Sequence, residues 1–280
     1  MDDPLFYITA NSLQKRDAMD IVEERRDFLK WTSGERVLDI GCGPGDVTVN
    51  VLFPILPEDA TLVGCDISEE MITYCNKFIN NDRISFKTQN IEDKDIAEIL
   101  ELESFNKIFS FNCLHWIKDH RQAMENMFSL LKPGGEILLM FVTPNNPVLV
   151  MFYKLNASDK WSKYIKKRQW FYKADDPPSF FHQILEDVGF HNINCYLQKR
   201  SRRYPSLEAL SDFLKPINPY LQYIPDELKS EYRQDLIDIC KREGVVKFDA
   251  VTEELILEYH SIVAIAHKPN KQFKLENFMI

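Results

Sequence analysis

The sequence has no CxxC pair, no signal-peptide-length apolar stretch near its N-terminus, and no run that approaches the roughly 18 uninterrupted apolar residues of a membrane span. These absences argue against a disulfide framework, a zinc site and a membrane anchor. The six cysteines, Cys42, Cys65, Cys75, Cys113, Cys195 and Cys240, are scattered, as suits buried reduced thiols in a cytoplasmic protein. The six histidines show no ligand spacing, so no metal is expected. Basic residues are also short, 34 against 43 acidic for a net charge of −9. An acidic surface repels phosphate backbones and makes nucleic acid a poor partner. Two basic clusters, Lys166-Lys167-Arg168 and Lys199-Arg200-Ser201-Arg202-Arg203, read as solvated edges or loops. Repeats and low-complexity segments are lacking. Glycine is scarce, nine in 280 residues, yet three of the nine, Gly41, Gly43 and Gly45, stand within five positions.

What is present supports a compact core, since 45% of residues are hydrophobic. Residues 11–29 carry apolar positions at helical spacing, including Leu13, Ile21, Val22 and Phe28, with Asn11 or Ser12 as cap. From there strand and helix alternate. Strands are expected at Arg36 to Ile40, Thr61 to Cys65, Ile84 to Thr88, Lys107 to Asn112 and Glu136 to Thr143. Helices are expected at Val47 to Leu56, Ser68 to Phe78, Asp93 to Leu102 and Arg121 to Leu131. Further strands near Asn192 to Gln198 and Glu258 to Ala266 bring the total to seven, with a helix near Ser179 to Val188 before them. Such alternation implies βαβ crossovers and a doubly wound, mostly parallel α/β sheet. Residues 1–280 read as one domain carrying helical additions: an N-terminal cover at 1–30 and cap insertions at 144–178 and 206–243. Additions of this kind cover the carboxyl ends of the strands, where ligands of open α/β sheets bind.

The glycines sit in Val37-Leu38-Asp39-Ile40-Gly41-Cys42-Gly43-Pro44-Gly45-Asp46, a strand that runs into a tight turn and a helix start. That arrangement turns backbone N–H groups toward an anionic group. A dinucleotide fingerprint would want a third glycine where Asp46 stands, and a carboxylate there opposes a pyrophosphate. Asp39 adds a second negative charge. A ligand with a cation beside the loop resolves both, and S-adenosylmethionine carries an ammonium, a sulfonium and a carboxylate for backbone amides to hold. Asp66, ending the second strand, suits the ribose hydroxyls, although Asp-x-Ser is also a plain helix cap. Asn90 offers an amide oxygen to the adenine amino group, with Ile67 and Ile91 flanking the ring.

In that order and spacing, VLDIGCGPGDVT, VGCDISEEMI and LKPGGEILLM resemble class I S-adenosylmethionine-dependent methyltransferases over residues 35–143, which implies a Rossmann-like sheet. NSLQKRDA, CDISEEM and FSFNCLHWIKD are similar to the insect juvenile hormone acid O-methyltransferases over most of the chain, weakest after residue 145. The resemblance implies a cofactor-binding set of Asp39, Gly41, Cys42, Gly43, Asp66, Ile67, Asn90, Ile91 and Phe111. Asn90 stands where the family commonly has aspartate, so weaker adenine binding is expected. It further implies that Gln14 and Trp116 hold a substrate carboxylate, and that the acceptor is a lipophilic acid such as farnesoic acid or juvenile hormone acid.

A carboxylic acid with a reference pKa near 4 is already an anionic nucleophile at neutral pH, so no general base is needed. Neutral donors, an amide and an indole, suit this chemistry better than an arginine that over-stabilises the starting anion. His115 is the rival base; strand alternation points it away from Trp116, which favours a structural role. Tyr7, Met140, Phe141, Val148, Phe152 and Tyr153, with Trp170, Phe171, Phe180 and Phe181, are the apolar supply for a substrate pocket. Another acid, a phenol or an amine as acceptor, and a ligand-binding relative without turnover, remain open on the residues. So does the choice between monomer and homodimer.

Overall fold

A computed structural model describes residues 4–26, 29–165 and 174–270. Its sheet has eight strands, β1 (Arg36–Ile40), β2 (Thr61–Asp66), β3 (Ile84–Thr88), β4 (Phe105–Phe111), β5 (Leu131–Val142), β6 (His191–Tyr204), β7 (Val246–Asp249) and β8 (Glu254–His267). They run in the order β3-β2-β1-β4-β5-β8-β6, with β7 paired to β8. β1 to β5 are parallel, while β8 lies antiparallel to β5, β6 and β7. Strands covered on both faces have no polar side to show, and β4 is accordingly buried at all but one position. Strand order reverses between β1 and β4, which opens a crevice at their carboxyl ends.

Eight α-helices are described: α1 (Pro4–Ala10), α2 (Ser12–Glu24), α3 (Glu69–Phe78), α4 (His120–Leu130), α5 (Pro147–Asn156), α6 (Pro177–Val188), α7 (Leu207–Ile217) and α8 (Lys229–Arg242). Their starts follow side-chain capping. The Ser68 hydroxyl accepts from Met71 N at 3.3 Å, with Glu69 and Glu70 in the first turn of α3. Asp119 and Asp176 cap α4 and α6 in the same way.

Several elements depart from the expected spans, each for a local reason. The segment after the glycine loop is a wide turn, Thr48–Leu52, followed by a tight one, Phe53–Ile55, because Pro54 has no N–H to continue an α-helix. The helix expected over Asp93 to Leu102 shrinks to one turn, Ile96–Glu98. The Asp93 carboxylate there accepts from the Gln89 and Asn90 side chains, the competition by which short acidic side chains weaken helices. The helix expected over 11–29 is α2, which stops at Glu24, and Phe28 lies outside the described residues. β6 continues six residues beyond Gln198 because Lys199 to Arg203 form an edge strand whose charges find partners: Lys199 with Glu258, Arg203 with Asp249. β7 adds a hairpin arm of two half-buried and two exposed residues that no apolar run announces. Lys166, Lys167, Arg168, Trp170 and Phe171 lie outside the described residues.

The main core fills the α4 and α6 side of the sheet, around Leu38, Ile108, Met127, Leu139 and Phe181. A second core stands above the strand ends, where α5, α7 and α8 pack Phe152, Trp161, Phe213, Leu214 and Tyr232 against Leu257 and Tyr259 of β8. Within it Tyr232 Oη donates to Asn156 Oδ1 at 3.0 Å, and Trp161 Nε1 donates to Asp235 Oδ2 at 2.8 Å, so both large polar rings are satisfied.

At the opposite, amino-terminal end of the sheet, Lys107 is buried between Glu35 at 3.1 Å and Glu136 at 3.0 Å, beneath the Trp31 ring. Removing the lysine strands two carboxylates in the interior, a loss of about 3–5 kcal/mol. Lys107→Ala should therefore lower the urea midpoint strongly while the folded variant retains ligand binding at the far end; an unchanged midpoint would show the triad to be idle.

Candidate functional site

The glycine loop closes on itself. Gly41 N and Cys42 N donate to Cys65 O at 2.8 and 3.0 Å, Gly45 N to Cys42 O at 3.1 Å, and Gly43 N to Asp66 Oδ2 at 2.9 Å. These amides bond to β2 and to the turn itself. Gly41, Gly43 and Gly45 all have positive φ, 73°, 54° and 79°. At Gly41 a Cβ would stand 2.4 Å from Cβ and Sγ of Cys113, whereas at Gly43 the nearest atom is a Tyr7 ring carbon at 4.0 Å. Gly41 is therefore a packing requirement, and Gly43 leaves open space in a cavity wall.

The electrostatics around the loop are negative. Asp39 is 2% exposed, and its carboxyl is pushed up to about 7 by burial, with Asp66 adding to the rise and the Thr48 hydroxyl, donating at 2.6 Å, opposing it. Burial also raises Asp66, against hydrogen bonds from the Ser68 and Gly43 amides. Among the described residues no lysine or arginine lines this space, so a cation is the charge that it lacks. Asp46 is engaged by the helix above it. It accepts from Asn11 Nδ2 and Lys15 Nζ, both at 3.1 Å, and so clips α2 across the loop.

Above the strand ends lies a cavity of about 320 Å³, within the usual range for small-molecule sites. Part of its lining is Gly41, Gly43, Asp66, Ile67 and Ser68; another part is apolar, with Val148, Leu149, Phe152, Phe213 and Leu257. A smaller cleft beneath the loop holds Asp39, Cys42, Phe111 and Asp46, and shares Tyr7, Gln14, Gly41, Gly43 and Asn112 with the cavity. Gln14 and Trp116 both line the main cavity, Gln14 from α2 and Trp116 from the turn Leu114–Trp116 that follows β4. The Gln14 Oε1 atom is buried with no partner, and a half-turn of the amide offers its N–H₂ at the same place.

Two expected residues lie elsewhere. Ile91 is 4% exposed within the main core, and Asn90 closes a local turn, accepting from Glu92 N at 3.1 Å and donating to Asp93 at 3.2 Å. Neither lines the cavity. The reason is the tight turn after β3, which directs Ile91 inward once no long helix follows. Ile67 is 68% exposed at the rim. His115 needs a further correction. It sits on a helical turn, so strand alternation does not apply; its ring is 4.8 Å from that of Trp116 and both line the cavity. Burial pushes His115 down to about 3, so it is neutral. Of the apolar supply, Tyr7, Val148 and Phe152 line the cavity. Met140, Phe141 and Phe181 are core residues, while Tyr153 and Phe180 are exposed.

Sequence reading missed Asp17 and Tyr259, which also line the cavity. Tyr259 Oη donates to Asp17 Oδ2 at 2.5 Å, and Arg16 Nη2 donates to Asp17 Oδ1 at 2.9 Å, pinning α2 to β8. The two lie 242 positions apart, and no local pattern connects them. It missed Asn112 and Asn146 as well; both stand just past strand ends, where a polar residue is the available signal. Among the described residues no cluster of three or more His, Cys, Asp or Glu side chains could hold a metal, and no helix is long and apolar enough to cross a membrane.

Comparison with known proteins agrees with this architecture. Residues 31–192 match the family described as Methyltransferase domain. The chain is 35% identical to juvenile hormone acid O-methyltransferase of Bombyx mori, covering 86% of this chain and 87% of that one. It is 32% identical to the Drosophila melanogaster enzyme of the same name, over 96% and 93%. Among solved structures, phosphoethanolamine N-methyltransferase 2 of Haemonchus contortus, in complex with S-adenosylhomocysteine, superposes with a TM-score of 0.56 at 18% identity. That alignment covers 91% of this chain but only 53% of the Haemonchus chain, about half of its length. The YcgJ protein of Bacillus gives 0.62 at 16% identity, over 91% and 99% of the two chains, and these likenesses concern the fold. On the domain match and on its identity to the silkworm and fly enzymes along nearly their whole length, the chain belongs to the methyltransferase-domain family, in its juvenile hormone acid O-methyltransferase branch.

Proposed function

We propose that the protein transfers a methyl group from S-adenosylmethionine to the carboxylate of a lipophilic acid such as farnesoic acid or juvenile hormone acid. One observation carries this reading: a single cavity joins a negative, glycine-walled part to an apolar part, with Gln14 and Trp116 in its lining. Bound S-adenosylmethionine supplies an electrophilic methyl on a sulfonium. Asp66 still has lone pairs for two ribose hydroxyls after accepting from Gly43 and Ser68. Asp39, ionised, complements a cation. Gln14 and Trp116 orient the acid through neutral N–H donors and leave it no fixed counter-ion, so it stays nucleophilic. Val148, Leu149, Phe152 and Phe213 exclude water and accept the chain. Orientation of this kind is worth on the order of 7–11 kcal/mol of the barrier. A phenol or amine acceptor would have to lose a proton, and His115 at about 3 is too weak a base to take it. The α2 cover and the α5, α7 and α8 cap serve as substrate cover in this account, and six free cysteines suit a reducing cytoplasmic setting.

Labelled donor with farnesoic acid should give the methyl ester. Gln14→Ala and Trp116→Ala should each lose about 10- to 100-fold in kcat/KM, the scale of a hydrogen bond to a charged group, with S-adenosylhomocysteine affinity retained. Full turnover in both variants would remove the clamp. A second expectation concerns pH. Asp39 is neutral below about 7 and ionised above it, and a cation favours the ionised form. S-adenosylmethionine affinity, measured by calorimetry, should therefore rise several-fold between about pH 6 and 8. Asp39→Asn should flatten that rise, whereas a pH-independent wild type would place the cation elsewhere.

A further inference from the structure

Asn112 combines a left-handed backbone with an unpaired buried donor. Its φ is 55°, a left-handed conformation, at the point where β4 ends and its own N–H donates to Met140 O at 2.7 Å. Its Nδ2 is fully buried and has no hydrogen-bond partner. Buried amide groups are ordinarily paired, so an unpaired one on a cavity wall is available to a ligand that enters.

Its position says what that is. Asn112 and Gln14 each line both the main cavity and the cleft beneath the glycine loop, so they stand where the two spaces meet. Cys113, the next residue, packs against Gly41, and the Trp116 amide donates to Cys113 O at 2.9 Å. Asn112 and Trp116 thus belong to one short turn braced against the loop, with Gln14 reaching the same space from α2.

We propose that Asn112 is a third neutral donor to the acceptor's carboxylate, completing the clamp of Gln14 and Trp116; this rests on the acid-methylating reading given above. An amide N–H₂ fits the same logic as its companions, binding an anion without supplying a positive charge. The other carboxylate available at this junction is that of the donor's methionine part, which has the same hydrogen-bonding chemistry.

Asn112→Gly and Asn112→Asp separate the possibilities. Glycine accepts the left-handed backbone without strain and removes only the amide. Aspartate keeps the shape, replaces both donors by acceptors and adds a negative charge. With labelled donor and farnesoic acid, Asn112→Gly should lower kcat/KM by about 10-fold or more while its melting temperature and S-adenosylhomocysteine affinity stay near wild type. Asn112→Asp should be worse still. Wild-type kcat/KM in Asn112→Gly would make the residue a backbone device alone, and the proposal would fall. Parallel loss of S-adenosylhomocysteine affinity would assign the amide to the donor's carboxylate and overturn it too. Asn112→Asp outperforming Asn112→Gly would mean that the side chain accepts rather than donates, with the same consequence. If the wild type forms no ester from any free acid, the acid reading itself fails and takes this clamp with it.

Discussion

The contact between Gly41 and Cys113 governs the arrangement of everything above the sheet. With no room for a Cβ at Gly41, the turn after β1 and the turn after β4 touch backbone to side chain, at the point where the strand order reverses. The first turn carries the glycine wall and holds Asp66; the second carries Asn112, His115 and Trp116. Two binding regions that belong to different βα units are thereby held as one cavity. Methyl transfer needs the reacting groups in contact and in line, and a fixed separation between their supports is the cheapest way to secure that.

The cover is tied down by charge rather than by greasy contact alone. Asp46 holds Asn11 and Lys15, and Asp17 holds Arg16 and Tyr259, so α2 is fixed to the loop at one end and to β8 further along. Gln14 lies between those anchors. The cap has its own core, built on Trp161, Phe213 and Tyr232. That core also takes in Leu257 and Tyr259 of β8, which ties it to the sheet.

Much of the sheet was legible because its strands are near-continuous apolar runs separated by cap signals, which is what a sheet covered on both faces requires. The glycine loop, Asp39, Asp66, Gln14 and Trp116 were legible from local spacing and from the family's motifs. What escaped was non-local or context-dependent. The Asp17 and Tyr259 pair exists only after β8 has crossed the sheet. Lys199 to Arg203 look like loop because the partners that make them an edge strand lie in β8 and at the end of β7. The bonding of the loop amides was not legible since Cys65 O, which takes two of them, comes from a neighbouring strand. The turn at Asn90 and Ile91 was not legible because a helix was expected where Asp93 instead takes side-chain hydrogen bonds.

A crystal grown with S-adenosylhomocysteine and farnesoic acid tests the joint cavity most directly. The acid's carboxylate is expected within about 3 Å of the Gln14 and Trp116 side-chain nitrogens, its chain running among Leu149, Phe152 and Phe213, with the nucleoside against Asp66. An acid bound outside the space shared by α2 and the turn after β4, or a nucleoside away from Asp66, would contradict the account.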